Sequence, residues 1–270
     1  LKDGKPWRQR KAEKAQRRIE EGLRQRPVTQ TTRKRPKVLD RHPVTGLKLV
    51  PPDHNPHAER GIRAWKVEQM WNGETVCLIG GGPSLRGFDL TPTQGFKTIA
   101  INNSYLIAPW AQLLHFADAQ WWQWNKADVL ARWPEDRLIS TATSDTTTTN
   151  EARLLRLWRD RNDFSFDPCR VYGWDSGNQA INLAYHLGAR RIVLFGFDMR
   201  PAPDGATQWH NLHKRVTLTD NYQSKFIPAL KRSISMLKGV GVEVVRATEP
   251  GIAEAPYLPL NQALVQPISR

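Results

Sequence analysis

Thr75-Val76-Cys77-Leu78-Ile79-Gly80-Gly81-Gly82-Pro83-Ser84-Leu85 is a short apolar run that breaks into three glycines, a proline and a serine. Four apolar residues in succession suit a strand buried on both faces, as in a parallel sheet. The glycines let the chain turn sharply and let a ligand approach the backbone. The stretch therefore predicts a buried strand feeding a ligand-binding turn. Its spacing departs from the dinucleotide fingerprint G-x-G-x-x-G, because Leu85 stands where the last glycine belongs. That points away from nicotinamide cofactors.

Working outward, further apolar or β-branched runs occur at Thr98 to Ile101, Leu113 to Ala117, Arg137 to Ser140, Arg191 to Phe195 and Val242 to Val245. Helical patterns fall between several of them. The clearest runs from Asn178 to Leu187, with Ala180, Ile181, Ala184 and Leu187 on one stripe and Gly188 at its end. A second runs from Tyr222 to Leu237 and stops at Gly239, and residues 60–71 read as a short helix delivering Trp65 and Trp71 to the domain edge. Residues 144–150, with four consecutive threonines, read as an exposed loop. Strands alternating with helices predict an α/β fold: a Rossmann-like, doubly wound, mostly parallel sheet over residues 61–270.

The 270 residues carry a formal charge of +14, and 39% are hydrophobic, enough for one sizeable core. The charge is uneven. Residues 1–60 hold 17 Lys/Arg against 7 Asp/Glu, and the remainder 23 against 19. Pro27, Pro36, Pro43, Pro51, Pro52 and Pro56 disfavour regular helix there, so residues 1–60 read as a basic, partly disordered arm, with nucleic acid as a candidate partner. No apolar stretch approaches the roughly 20 residues that span a bilayer, so a cytoplasmic protein without membrane contact is expected. Cys77 and Cys169 give neither a disulfide framework nor a zinc set, and read as reduced thiols.

In an open parallel sheet the residues just after each strand face the ligand. Those positions carry Gly80, Gly81, Gly82, Pro83 and Ser84, then Asn102 and Asn103, then Asp118, then Asp198. Ser176, Gly177 and Asn178 open the strongest helix, where free N–H groups and the dipole favour an anion, although Ser176 also reads as a plain N-cap. Trp121, Trp122 and Trp124 suit either a stacking platform or an aromatic core. Downstream, His210 and His213 offer a general base titrating near neutrality, and Lys214 and Arg215 offer charge to stabilise a phosphate. Two histidines lack the third ligand a zinc site needs, so no metal is expected there.

Together, the glycine turn, Ile101-Asn102-Asn103, and Ser176-Gly177-Asn178 leading through the helix to Leu187-Gly-Ala-Arg-Arg-Ile-Val-Leu-Phe-Gly-Phe-Asp198 resemble a superfamily. It contains the family 42 sialyltransferases and the archaeal 6-hydroxymethylpterin diphosphokinase-like proteins. Within it the chain looks closest to proteins encoded in phage and prophage genomes, which share Ala117-Asp118-Ala-Gln-Trp-Trp122; the resemblance spans residues 65–260. It implies a nucleotide-dependent transferase of glycosyltransferase type, acting in a bacterial host cell. The glycine turn, Asn102 or Asn103, Ser176 and Gly177 would hold the nucleotide, and His210 or His213 would be the base. The sialyltransferase turn carries an Asn where this chain has Gly81, which bears on a cytidine donor, and Tyr222 is the available match for the phosphate-stabilising tyrosines. The diphosphokinase branch implies instead an ATP-dependent enzyme with magnesium on Asp118 and Asp198. A third expectation is a non-catalytic binding protein that grips nucleic acid through residues 1–60.

Overall fold

A computed structural model describes residues 49–50, 64–142, 153–212 and 218–266, all within one compact unit. Most of the basic arm, and the 144–150 loop, lie outside the described residues. Seven parallel strands form the central sheet: β3 (Thr75–Ile79), β4 (Lys97–Ile101), β5 (Leu113–Phe116), β6 (Leu138–Thr141), β7 (Leu154–Arg156), β10 (Arg191–Phe195) and β11 (Glu243–Arg246), in the order β11-β10-β3-β4-β5-β6-β7. The chain starts at β3, walks outward to β7, then returns to the other side of β3. This is a Rossmann-like α/β fold whose strand order reverses between β3 and β10.

Two pairs of very short strands lie outside that sheet: β1 (Leu49–Val50) antiparallel to β2 (Ala64–Trp65), and β8 (Trp158–Asp160) parallel to β9 (Arg170–Tyr172). The expected helix over 60–71 is absent among its described residues. Ala64 and Trp65 pair as a strand, and the Trp71 N–H donates to Leu187 O at 2.7 Å. Both tryptophans are buried, so tertiary burial determined the backbone here rather than helix propensity.

Strand side chains alternate between two cores, as the period of two requires. Val76 and Leu78 face one core with α2 (Ser176–His186) and α3 (Ile227–Gly239); Cys77 and Ile79 face the other with α1 (Ala119–Arg132) and the short α4 (Leu260–Ala263). Burial pushes the Cys77 thiol pKa strongly upward, and both cysteines are free. Trp121 and Trp122 belong to this second core: Trp122 stacks on Phe116 with centroids 5.0 Å apart, and Trp121 lies 5.3 Å from the same ring. Neither lines a ligand site. His115 of β5 is fully buried between Ser140 (2.9 Å to Nδ1) and Gln179 (3.2 Å to Nε2), and burial depresses its pKa to about 4, so it is neutral at pH 7. No helix among the described residues is long and apolar enough to cross a membrane.

The glycine turn after β3 meets the loop after β10 backbone to backbone. Gly80 N–H donates to Phe195 O at 2.8 Å and Gly82 N–H to Gly196 O at 2.9 Å. None of Gly80, Gly81 or Gly82 has positive φ, which corrects the expectation that they are needed for a sharp turn. What Gly80 and Gly82 supply is room. A Cβ on Gly82 would lie 2.6 Å from Gly196 O and 2.3 Å from Asp198 Oδ1, whereas one on Gly81 would meet only the Gln208 side chain. Gly82→Ala is therefore expected to destabilise the fold by about 1–3 kcal/mol, as overpacking does. Gly81→Ala should stay within about 0.5 kcal/mol once Gln208 swings aside. Urea titration of the two variants checks this ranking, and equal effects would contradict it.

Candidate functional site

A cavity of about 570 Å³ opens at the carboxyl edge of the sheet, within the range of small-molecule sites. Its walls are residues 80–83 after β3, 101–104 after β4, 117–119 after β5, 174–177 entering α2, and 196–200 after β10. Arg159, Gln208, His210, Tyr222 and Phe226 complete it. Of the residues singled out in the sequence, Gly80, Gly81, Gly82, Pro83, Asn102, Asn103, Asp118, Ser176, Gly177, Asp198 and His210 line this one space. Ser84 and Asn178 are not in the lining. His213, Lys214 and Arg215 lie outside the described residues.

Several of these side chains are already engaged by the fold. Asn103 is buried and its Oδ1 accepts from Trp121 Nε1 at 2.5 Å. Ser176 Oγ donates to Asn102 Oδ1 at 3.2 Å and accepts from Ala117 N–H at 3.0 Å. The cap of α2 is Asp175, not Ser176: its Oδ1 accepts from Asn178 N–H at 3.0 Å and its Oδ2 from Asn178 Nδ2 at 2.6 Å. Both residue types cap well, and the shift of one position places a carboxylate where an anionic ligand was expected. Asn178 faces Asp175 and the Phe226 carbonyl instead of the cavity.

The glycine turn is equally committed. Beyond Gly80 and Gly82, Ser84 N–H donates to Asp198 Oδ2 at 2.8 Å and Pro83 has no N–H. Gly81 alone has an N–H without a partner among the described residues, so the turn cannot wrap a phosphate with several amides. Its carbonyls anchor other parts: Gly81 O accepts from Trp209 N–H at 2.9 Å, which fixes the His210 segment at the cavity, and Gly80 O accepts from Ser104 Oγ at 2.5 Å.

Three carboxylates reach the cavity. Asp175 is occupied as above, and both oxygens of Asp198 accept from Ser84, at 2.8 Å from N and 2.6 Å from Oγ. Asp118 caps α1 through Oδ1, which accepts from Gln120 N–H at 2.8 Å, and is exposed in the cavity lining, with no partner for Oδ2 among the described residues. His210 Nδ1 accepts from Leu212 N–H at 3.1 Å. A neutral ring with Nδ1 accepting keeps its proton on Nε2, so action as a base through Nε2 requires that contact to break.

No protein-family model, curated protein or solved structure matches the chain. The site's chemistry rests on its own residues, including several that sequence reasoning passed over. Arg159, Trp174, Arg200, Gln208 and Phe226 line the cavity from short or irregular segments with no periodic signal. Tyr222, the sequence match for a phosphate-stabilising tyrosine, enters it through a π-turn over Tyr222–Phe226, a distortion frequent at functional sites. Asn102 and Met199 in the lining have φ of 52° and 55°, and for Met this is a strained backbone.

Burial raises the Asp198 carboxyl above its usual 3.8, against the Ser84 hydrogen bonds and nearby Arg200, which pull it down. A carboxyl raised in the folded state adds stability below its unfolded pKa, and that contribution disappears as pH climbs through the folded value. Asp198→Asn can keep both Ser84 contacts, with its carbonyl accepting from the Ser84 N–H and its Nδ2 donating to Oγ, while removing the titration. The variant should therefore gain stability relative to the parent as pH rises from about 4 toward 8, and converge with it below about 4. Denaturation at a series of pH values measures this, and a pH-independent difference would refute it.

Proposed function

We propose that the chain is a nucleotide-dependent transferase of glycosyltransferase type. The observation that carries this reading is the convergence of four strand ends on one cavity at the point of strand-order reversal, with the Asp118 carboxylate and the His210 imidazole in the same lining. An acceptor hydroxyl would attack the anomeric carbon of a nucleotide sugar as the bond from that carbon to the donor phosphate oxygen breaks. Asp118, through its uncommitted Oδ2, takes the acceptor proton. His210 donates from Nε2–H to the departing phosphate, whose charge the cavity cations offset. This gives Asp118 the base role that the resemblance implied for His210 or His213.

The diphosphokinase alternative has less support. It needs magnesium on Asp118 and Asp198, yet both Asp198 oxygens are held by Ser84, and no group of three or more His, Cys, Asp or Glu is placed to hold a metal among the described residues. The donor set does not fit the ion, and no step is assigned to it. The reading of residues 1–60 as a nucleic-acid arm falls almost wholly outside the described residues.

A thermal-shift screen over CMP, UDP, GDP and ATP compounds and their sugar conjugates, with and without EDTA, tests the proposal. A ligand at about 100 times its Kd adds about 2.7 kcal/mol, a rise of several degrees in Tm for a chain of this size. At least one nucleotide sugar should shift Tm irrespective of EDTA and be slowly hydrolysed. Asp118→Asn should lower that turnover by about 10²–10⁴-fold with little change in binding. Silence across the panel in both binding and turnover would sink the reading.

A further inference from the structure

Trp174, between β9 and α2, is 42% exposed and lines the cavity. The guanidinium carbon of Arg161 lies 5.1 Å from its ring centroid and the Lys225 ammonium 5.9 Å, both within cation–π range. The two cations arrive from different parts of the chain, Arg161 from just beyond β8 and Lys225 from the π-turn ahead of α3. Among the described residues neither forms an ion pair or a hydrogen bond. Arg159 lines the same cavity from β8, two residues before Arg161. Burial and the proximity of Arg161 both lower the Arg159 pKa, the direction that a bound anion reverses.

Two carboxylates of neighbouring segments are turned to other partners. Asp175 directs both oxygens at Asn178, and Asp160 points to the opposite side of β8, its Oδ1 accepting from Asn162 N–H. The glycine turn, by contrast, has a single uncommitted amide and lies against Asp198. We propose that Arg161 and Lys225, set on the ring of Trp174, together with Arg159 of the lining, form the phosphate-binding part of the cavity and take the phosphate chain of the nucleotide in place of the glycine turn. The nucleotide identity rests on the function proposed above; the anion site does not.

Isothermal titration of the full chain with inorganic pyrophosphate at low salt tests it. Arg161 and Lys225 are exposed, so an Arg161→Gln/Lys225→Gln variant should melt as the parent does. It should bind pyrophosphate at least tenfold more weakly, while Gly81→Ala binds within about twofold of the parent, and parent affinity should fall as salt screens the charges. No pyrophosphate binding by the parent, an unchanged affinity in the double variant, or loss in Gly81→Ala instead would each overturn the assignment. Uptake of a single-stranded oligonucleotide without pyrophosphate binding would also overturn it, in favour of a polymer groove. Pyrophosphate binding that depends on Arg161 and Lys225, beside a silent nucleotide panel, would support the anion site while rejecting the nucleotide reading. Nucleotide binding indifferent to the double variant would do the reverse.

Discussion

Two strands end side by side where the sheet's order reverses, and their loops touch through glycine backbones. Gly80 and Gly82 on one side and Gly196 on the other leave no room for a Cβ between them. Gly196 also has a φ of +67°, so its own conformation favours glycine. From this contact the rest of the cavity wall follows. The close approach brings Asp198 onto Ser84, and the Gly81 carbonyl, turned outward, receives the Trp209 amide. His210 stands at the cavity because its neighbour in sequence is tied to that carbonyl.

The same contact reverses the usual meaning of a glycine-rich turn. In a phosphate cradle the glycines leave amides pointing at solvent for a ligand to collect. Here two glycine amides are spent on neighbouring carbonyls and a third, that of Ser84, on Asp198. Where a ligand sits is set by the strand ends, but which atoms can bind it is set by what the fold leaves unpaired. That second question separates Asp118, with one oxygen unpartnered among the described residues, from Asp175 and Asp198, whose oxygens are held.

The sheet was legible because its central strands are five-residue apolar runs and its two longer amphipathic helices have clear periodicity. Most of the cavity was legible too, since strand ends are fixed once strands are. What escaped has physical reasons. β7, β8 and β9 are three residues each, too short for alternation to register, and they bring Arg159 and position Trp174. The Trp121 and Trp122 pair carried the same composition as a stacking platform, and only the stack on Phe116 assigns it to the core. The described part of the expected 60–71 helix, residues 64–71, begins as a strand and ends in a turn, because pairing with residues 49–50 and the bond to Leu187 O outweigh local preference. The cap of α2 was misplaced by one because Asp175 and Ser176 are both good caps, and spacing alone does not rank them.

The retention of a carboxylate at position 198 needs more than packing to explain it. Burial raises its pKa, so the charged form is held there at a cost, and an asparagine could make both contacts to Ser84 without that penalty. A negative charge beside the glycine turn does something an amide cannot: it repels a phosphate from the end of the cavity where backbone amides are scarce. If Arg159, Arg161 and Lys225 take the anion as proposed, Asp198 and Asp118 in the lining would repel it from the strand ends, and a ligand with one charged end would be oriented by both signs of charge. The basic surplus of the whole chain has no such direction, since most of it lies in residues 1–60 and the remainder is nearly balanced. Under that proposal, it is the side chains delivered by the short strands and the π-turn, and not the net charge of the chain, that would set the orientation of a phosphorylated ligand.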